Sequence, residues 1–105
     1  MLETLTKETF EPLIGSVFKL TSPEGEILDF TVVDVEDLPA GGRRRRAKRQ
    51  KRDPFSVFFT GLPLLPQAMY PMQHEVLGPE PVQIFIVPVG ENTEGPGYEY
   101  EAVFT

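Results

Sequence analysis

The sequence predicts an all-β domain, a small antiparallel barrel of about six strands with one short N-terminal helix; a two-sheet β-sandwich is the alternative. Three observations carry this. Apolar residues alternate with polar ones over short runs, separated by turn residues. About six strand-like runs follow one another with short connections and almost no helix. One domain is all that this length accommodates, and in a small all-β domain closure removes strand edges.

Residues 5–14 are the predicted helix. Thr6 is the N-cap, with Leu5 before it and Phe10 at the fourth helical position as a hydrophobic staple. Glu8 lies in the first turn, where the helix dipole favours a negative charge. Pro12 limits the length and Gly15 ends it. Leu5, Phe10, Leu13 and Ile14 are expected to pack on the sheet.

Ser16–Thr21 alternates, with Phe18 and Leu20 on one face. Ser22-Pro23-Glu24-Gly25 is a turn. In Glu26–Leu38 the apolar phase runs Leu28, Phe30, Val32 and then shifts to Val33, Val35, which predicts a bulge near Val32-Val33. Pro54–Gly61 sets Phe55, Val57 and Phe59 against Ser56, Phe58 and Thr60. Leu62–Gln67 is a proline-bearing loop. Met69–Val76 is a strand with Pro71 inside, hence an edge. Gly78–Pro81 turns the chain. Val82–Val89 is apolar on both faces, as in a buried strand. Glu91–Gly97 is a loop, and Tyr98–Phe104 closes the chain with Tyr98, Tyr100, Ala102 and Phe104 on one face. No internal repeat is present.

Charge is divided unevenly. Eight of the ten basic residues are Arg43, Arg44, Arg45, Arg46, Lys48, Arg49, Lys51 and Arg52. The rest of the chain holds two lysines against sixteen carboxylates, so a net charge of −6 hides a basic segment on an acidic body. Gly41-Gly42 and Asp53-Pro54 bracket the segment, and 39–54 reads as a mobile basic loop between two strands. It suits a solvated loop, an acidic protein surface, a phosphate backbone, or a localisation-type address. The acidic body, and the lack of an aromatic residue in the segment for stacking bases, weigh against nucleic acid.

Chemistry is sparse. There is no cysteine and one histidine, so disulfides, thiolate nucleophiles and multi-histidine metal sites are excluded within one chain. His74 shares a face with Tyr70 and Met72 and reads as a core-edge histidine bonded to a carbonyl or carboxylate. Ser16, Ser22 and Ser56 lack a nucleophile-elbow context. Glu24/Glu26, Asp34/Glu36/Asp37 and Glu99/Glu101 pair carboxylates on strand faces, where solvation is their usual state. Glu91-Asn92-Thr93-Glu94 offers oxygen donors but no calcium-loop pattern. Leu62, Leu64 and Leu65 either fold over a barrel end or contact another chain.

The opening Leu5–Phe10 with Gly15-Ser16-Val17-Phe18, the run Phe55–Gly61, Leu65-Pro66-Gln67 with Tyr70 and His74, Leu77-Gly78, Phe85–Gly90 and Tyr98–Phe104 together resemble a family of short bacterial proteins built on a domain of unknown function. The likeness covers nearly the whole chain. It brings no activity, cofactor or site, and it implies an accessory or assembly role beside phage-tail-like fibre proteins. Two departures stand out: the basic segment is longer and more basic than the pattern, and Gln67-Ala68 stands where Gln-Gly is expected.

The expectation is therefore a non-enzymatic binding or assembly module without a cofactor. Its partner would be another protein or a second copy, bound through 43–52 and through Leu62, Leu64 and Leu65. Nucleic-acid or polyanion binding through 43–52 is the alternative. An enzyme using His74 with a carboxylate is a third reading. No small-molecule substrate or membrane partner is inferred. The N-terminus lacks a leader pattern, and a cytoplasmic location is expected.

Overall fold

The structure is a computed structural model and describes residues 5–38 and 54–104. The basic segment 43–52, and all of the 39–54 loop except Pro54, lie outside the described residues.

The N-terminal helix is brief: α1 covers Lys7–Phe10 and continues as a 3-10 turn over Glu11–Leu13, with Pro12 inside that turn. Thr6 caps it in extended conformation, its amide donating to Thr9 Oγ1 at 3.1 Å. Six strands follow: β1 Val17–Thr21, β2 Ile27–Asp37, β3 Phe55–Gly61, β4 Ala68–Gln73, β5 Val82–Glu91 and β6 Tyr98–Phe104. They close into an antiparallel barrel in the order β1-β2-β3-β6-β5-β4. Closure excludes the sandwich.

The interior follows from alternation. Phe18, Leu20, Phe30, Val32, Phe55, Val57, Phe59, Met72, Ile86 and Tyr100 are all fully buried. The β2–β3 register slips between Val32 and Asp34, so Val33 is the surplus residue of a bulge. A second slip, between Pro88 and Gly90, makes Val89 surplus in β5. The bulge in β2 lies where the apolar phase shift predicts it, although Val33 itself faces out and Val35 carries the new inward phase.

Each end of the barrel has its own closure. At one end α1 inserts Phe10, whose ring lies 5.2 Å from Phe104, 5.9 Å from Phe55 and 6.2 Å from Phe18. Here too β2 and β3 are joined across the 39–53 segment, the Leu38 amide donating to the Pro54 carbonyl at 3.1 Å. At the other end lie the 22–25 turn, the 62–67 connection and the 92–97 loop. Gly61 and Gly97 make that end tight. A Cβ on Gly97 would collide with the Gly61 carbonyl oxygen, and one on Gly61 would stand 2.8 Å from the Phe30 ring.

Four expectations need correction. Ile14 is exposed, because the chain turns outward after Leu13. β4 ends at Gln73, since residues 75–77 form a 3-10 turn capped by His74. β4 is also not an edge. It pairs with β5 along its length and with β1 through Lys19↔Gln73 and Leu20↔Met72, a two-pair ladder that stops short of Pro71. β5 is buried on one face only: Ile84 and Ile86 point in, while Phe85 lies opposite Met69 on the outside.

Candidate functional site

Two regions of the surface combine unusual residues, one at the end of the barrel opposite α1 and one on its outer wall. The first is built by two tyrosines. Tyr100 and Tyr70 rise from β6 and β4 inside the barrel, and their hydroxyls reach the 62–66 loop. The Tyr100 hydroxyl donates to the Pro63 carbonyl and accepts from the Leu65 amide at 2.8 Å. The Tyr70 hydroxyl donates to the Pro66 carbonyl at 2.6 Å. Burial pushes the pKa of both phenols up, Glu24 adding to the effect at Tyr70, so both stay protonated donors.

This latch divides the three leucines. Leu65 packs against the core, but Leu62 is 68% exposed and Leu64 60% exposed. The loop covers the barrel end and presents two leucines to solvent at once. Beside it runs an open groove of about 450 Å³, walled by Ile27, Leu28 and Asp29 on one side and Leu62, Pro63 and Pro96 on the other.

The outer wall of β2, β3 and β6 is acidic. Asp34 faces Phe58, which faces Glu101; Glu36 faces Ser56; Thr60 faces Glu99. The Ser56 hydroxyl donates to Glu101 at 2.6 Å. A hydrogen bond to Asp34 and its charge, then desolvation, then the charges of Glu101 and Glu99 push the Glu36 carboxyl above the usual range. The two lysines among the described residues are engaged elsewhere. Lys7 holds Asp37 at 2.9 Å and Glu11 at 3.5 Å, and Lys19 holds Asp29 at 2.6 Å. No cation among the described residues reaches the stripe of Asp34, Glu36, Glu99 and Glu101.

His74 lies in neither region, and its geometry is informative. Its Nδ1 accepts from the Val76 amide at 3.0 Å, so the proton sits on Nε2, which meets Ser16 Oγ at 2.8 Å. Ser16 in turn donates to the Leu13 carbonyl. The imidazole therefore donates to the serine instead of drawing a proton from it, which is the reverse of a nucleophile–base pair. Its partners are a hydroxyl and an amide, where a carbonyl or carboxylate was expected. The pair ties the residue before β1 to the residue after β4 across 58 positions of sequence.

In the 91–94 loop the Asn92 side chain serves its own turn. Asn92 Oδ1 accepts from the Glu94 amide and Asn92 Nδ2 donates to the Pro96 carbonyl, each at 3.1 Å. Among the described residues no cluster of three or more metal-ligating side chains occurs, and no helix is long and apolar enough to cross a membrane. The basic residues Arg43–Arg46, Lys48, Arg49, Lys51 and Arg52 lie outside the described residues. The Tyr100 latch, the Ser16–His74 pair and the outward Met69–Phe85 pair escaped the sequence reading, since each depends on partners distant in sequence.

Searches among curated proteins and among solved structures returned no match. One family model does match, over residues 5–104, which takes in every described residue but nothing of a known activity. That span is nearly the whole chain, and the chain accordingly belongs to the family described as a domain of unknown function, DUF6916.

Proposed function

We propose that this chain is a non-enzymatic assembly module, joining copies of itself or the subunits of a larger fibre-like complex. The basic 43–52 segment of one subunit would sit on the acidic stripe of the next. The carrying observation is that stripe. Four carboxylates stand together on β2 and β6 without a cation among the described residues, and crowding holds the Glu36 carboxyl above its usual range. Like charges kept together in this way favour a cationic partner. The chain itself carries eight cations in ten residues. Exposed Leu62 and Leu64 supply a second contact of apolar character. The donor role of His74 toward Ser16 supports the non-enzymatic part.

Multi-angle light scattering tests this. At ~50 mM salt the mass should exceed the 11.8 kDa of one chain. It should fall to that value when residues 43–52 are replaced by Gly and Ser, or when ~0.5 M salt screens the charges. A mass indifferent to both overturns the reading. The second reading, a polyanion clamp, rests on the same eight cations. It requires DNA binding that weakens with salt at up to about −0.9 per phosphate contact and that vanishes with the segment.

A further inference from the structure

β2 is longer than its neighbours. It begins at Ile27, but its ladder with β3 begins only at Thr31↔Thr60. Ile27–Phe30 therefore pair with β1 alone. The chain that would have continued β3 along this edge is pulled aside at Leu62, because the Tyr100 hydroxyl holds Pro63 and Leu65 over the barrel end. A closed barrel thus retains four residues of open edge, and the groove walled by Leu62, Pro63 and Pro96 runs along it.

The direction of the backbone groups follows from the ladder with β1. Ser22–Glu26 and Ser16–Val32 are bonded pairs, the Ser22 amide donating to Glu26 and the Val32 amide to Ser16. Bonded and non-bonded pairs alternate in an antiparallel ladder, so Leu28 and Phe30 also bond to β1. Ile27 and Asp29 then turn their N–H and C=O groups the other way, into the groove. No backbone bond from either residue to the loop opposite occurs among the described residues.

We infer that this groove is a strand-addition site for an extended segment of another protein whose side chains alternate apolar and basic. Extended backbone is required because the groups to be satisfied repeat at strand spacing. An apolar side chain would enter between Ile27, which is 60% exposed, and Leu62 and Pro63. A basic one is favoured by the surroundings. Glu24, Glu26, Glu91 and Glu94 are all exposed at this end of the barrel, and the lone lysine on β1 and β2 is taken up by Asp29. The site lies at the opposite end from the stem of the basic segment and shares only Leu62 with the assembly reading above, so the Ile27 and Asp29 amides report on it separately.

The test uses the full chain, and its probe is a capped decapeptide alternating valine and lysine. In the free protein the Ile27 and Asp29 amides should exchange with deuterium at least tenfold faster than those of Leu28 and Phe30. Adding the peptide should slow Ile27 and Asp29 and shift their NMR resonances. The same peptide N-methylated at each valine, and a valine–glutamate version, should each bind at least tenfold more weakly. Leu62→Ser, an exposed change that leaves folding intact, should weaken binding severalfold. Protected Ile27 and Asp29 amides in the free protein at high dilution would overturn the inference. So would equal binding of the N-methylated peptide. Protection that rises with protein concentration alone would assign the edge to a second copy and also overturn it.

Discussion

At the scale of single residues, Tyr100 does the most with the least. One hydroxyl donates to Pro63, accepts from Leu65, and so sets where the 62–66 loop lies. Tyr100→Phe removes both bonds and leaves a carbonyl and an amide without their partner. We expect a loss of about 1–3 kcal/mol, read as a lower urea midpoint with unchanged m-value. The raised phenol pKa also gives a sign. A folded protein that disfavours the phenolate binds more protons than the unfolded chain above pH ~10. The stability from Tyr100 and Tyr70 is therefore complete below that pH and falls as pH climbs through their raised values. Tyr100→Phe should make the alkaline fall shallower. Sequence reading placed Tyr100 inside correctly, from alternation in Tyr98–Phe104. It could not place the hydroxyl, whose partners lie some 35 positions away. His74 shows the same division: its face was readable, but its serine partner was not.

At the scale of elements, the helix is short enough that its own backbone bonds contribute little, and packing keeps it in place. Phe10 supplies that packing, fully buried among Phe18, Phe55 and Phe104. Phe10→Ala should cost about 3–5 kcal/mol by thermal or urea unfolding, a large share of the stability of a domain this size. A loss under about 1 kcal/mol would mean that the helix is a passenger on the barrel. The Thr6 cap and the burial of Leu5 and Phe10 were legible because they rest on local patterns. The bulge in β2 was legible for a related reason: an extra residue breaks period-two alternation visibly. β5 misled because apolar residues on an outer face look, in sequence, like those of a buried strand. Only the barrel's curvature decides which side Phe85 takes. The open edge of β2 was illegible too, since it depends on where β3 stops.

At the scale of the molecule, the two barrel ends divide the labour. The phenylalanine end carries the stem of the basic segment, and the tyrosine end carries the groove. The stem is closed by the bond from Leu38 to Pro54, and the six described strands close the barrel. Loop-closure entropy grows slowly, by about 0.6 kcal/mol per doubling of length. Replacing 39–53 with a Gly/Ser linker of half the length should therefore change unfolding free energy by no more than about 1 kcal/mol, while abolishing assembly. A larger loss in urea titration would show that the segment contributes to the fold itself.

The two bulges have a consequence for shape. Deleting Val33 from the written chain would leave Phe30, Val32 and Val35 in perfect alternation with Thr31, Asp34 and Glu36, so the inside–outside code has no use for that residue. Its use is mechanical. A surplus residue bends the strand that carries it and tightens its coil. In the ring of six, β2 and β5 stand directly across from each other, and each carries one surplus valine, Val33 and Val89, turned outward. They act as two fold lines on opposite sides of a ribbon, placed where a flat sheet must crease to meet its own far edge.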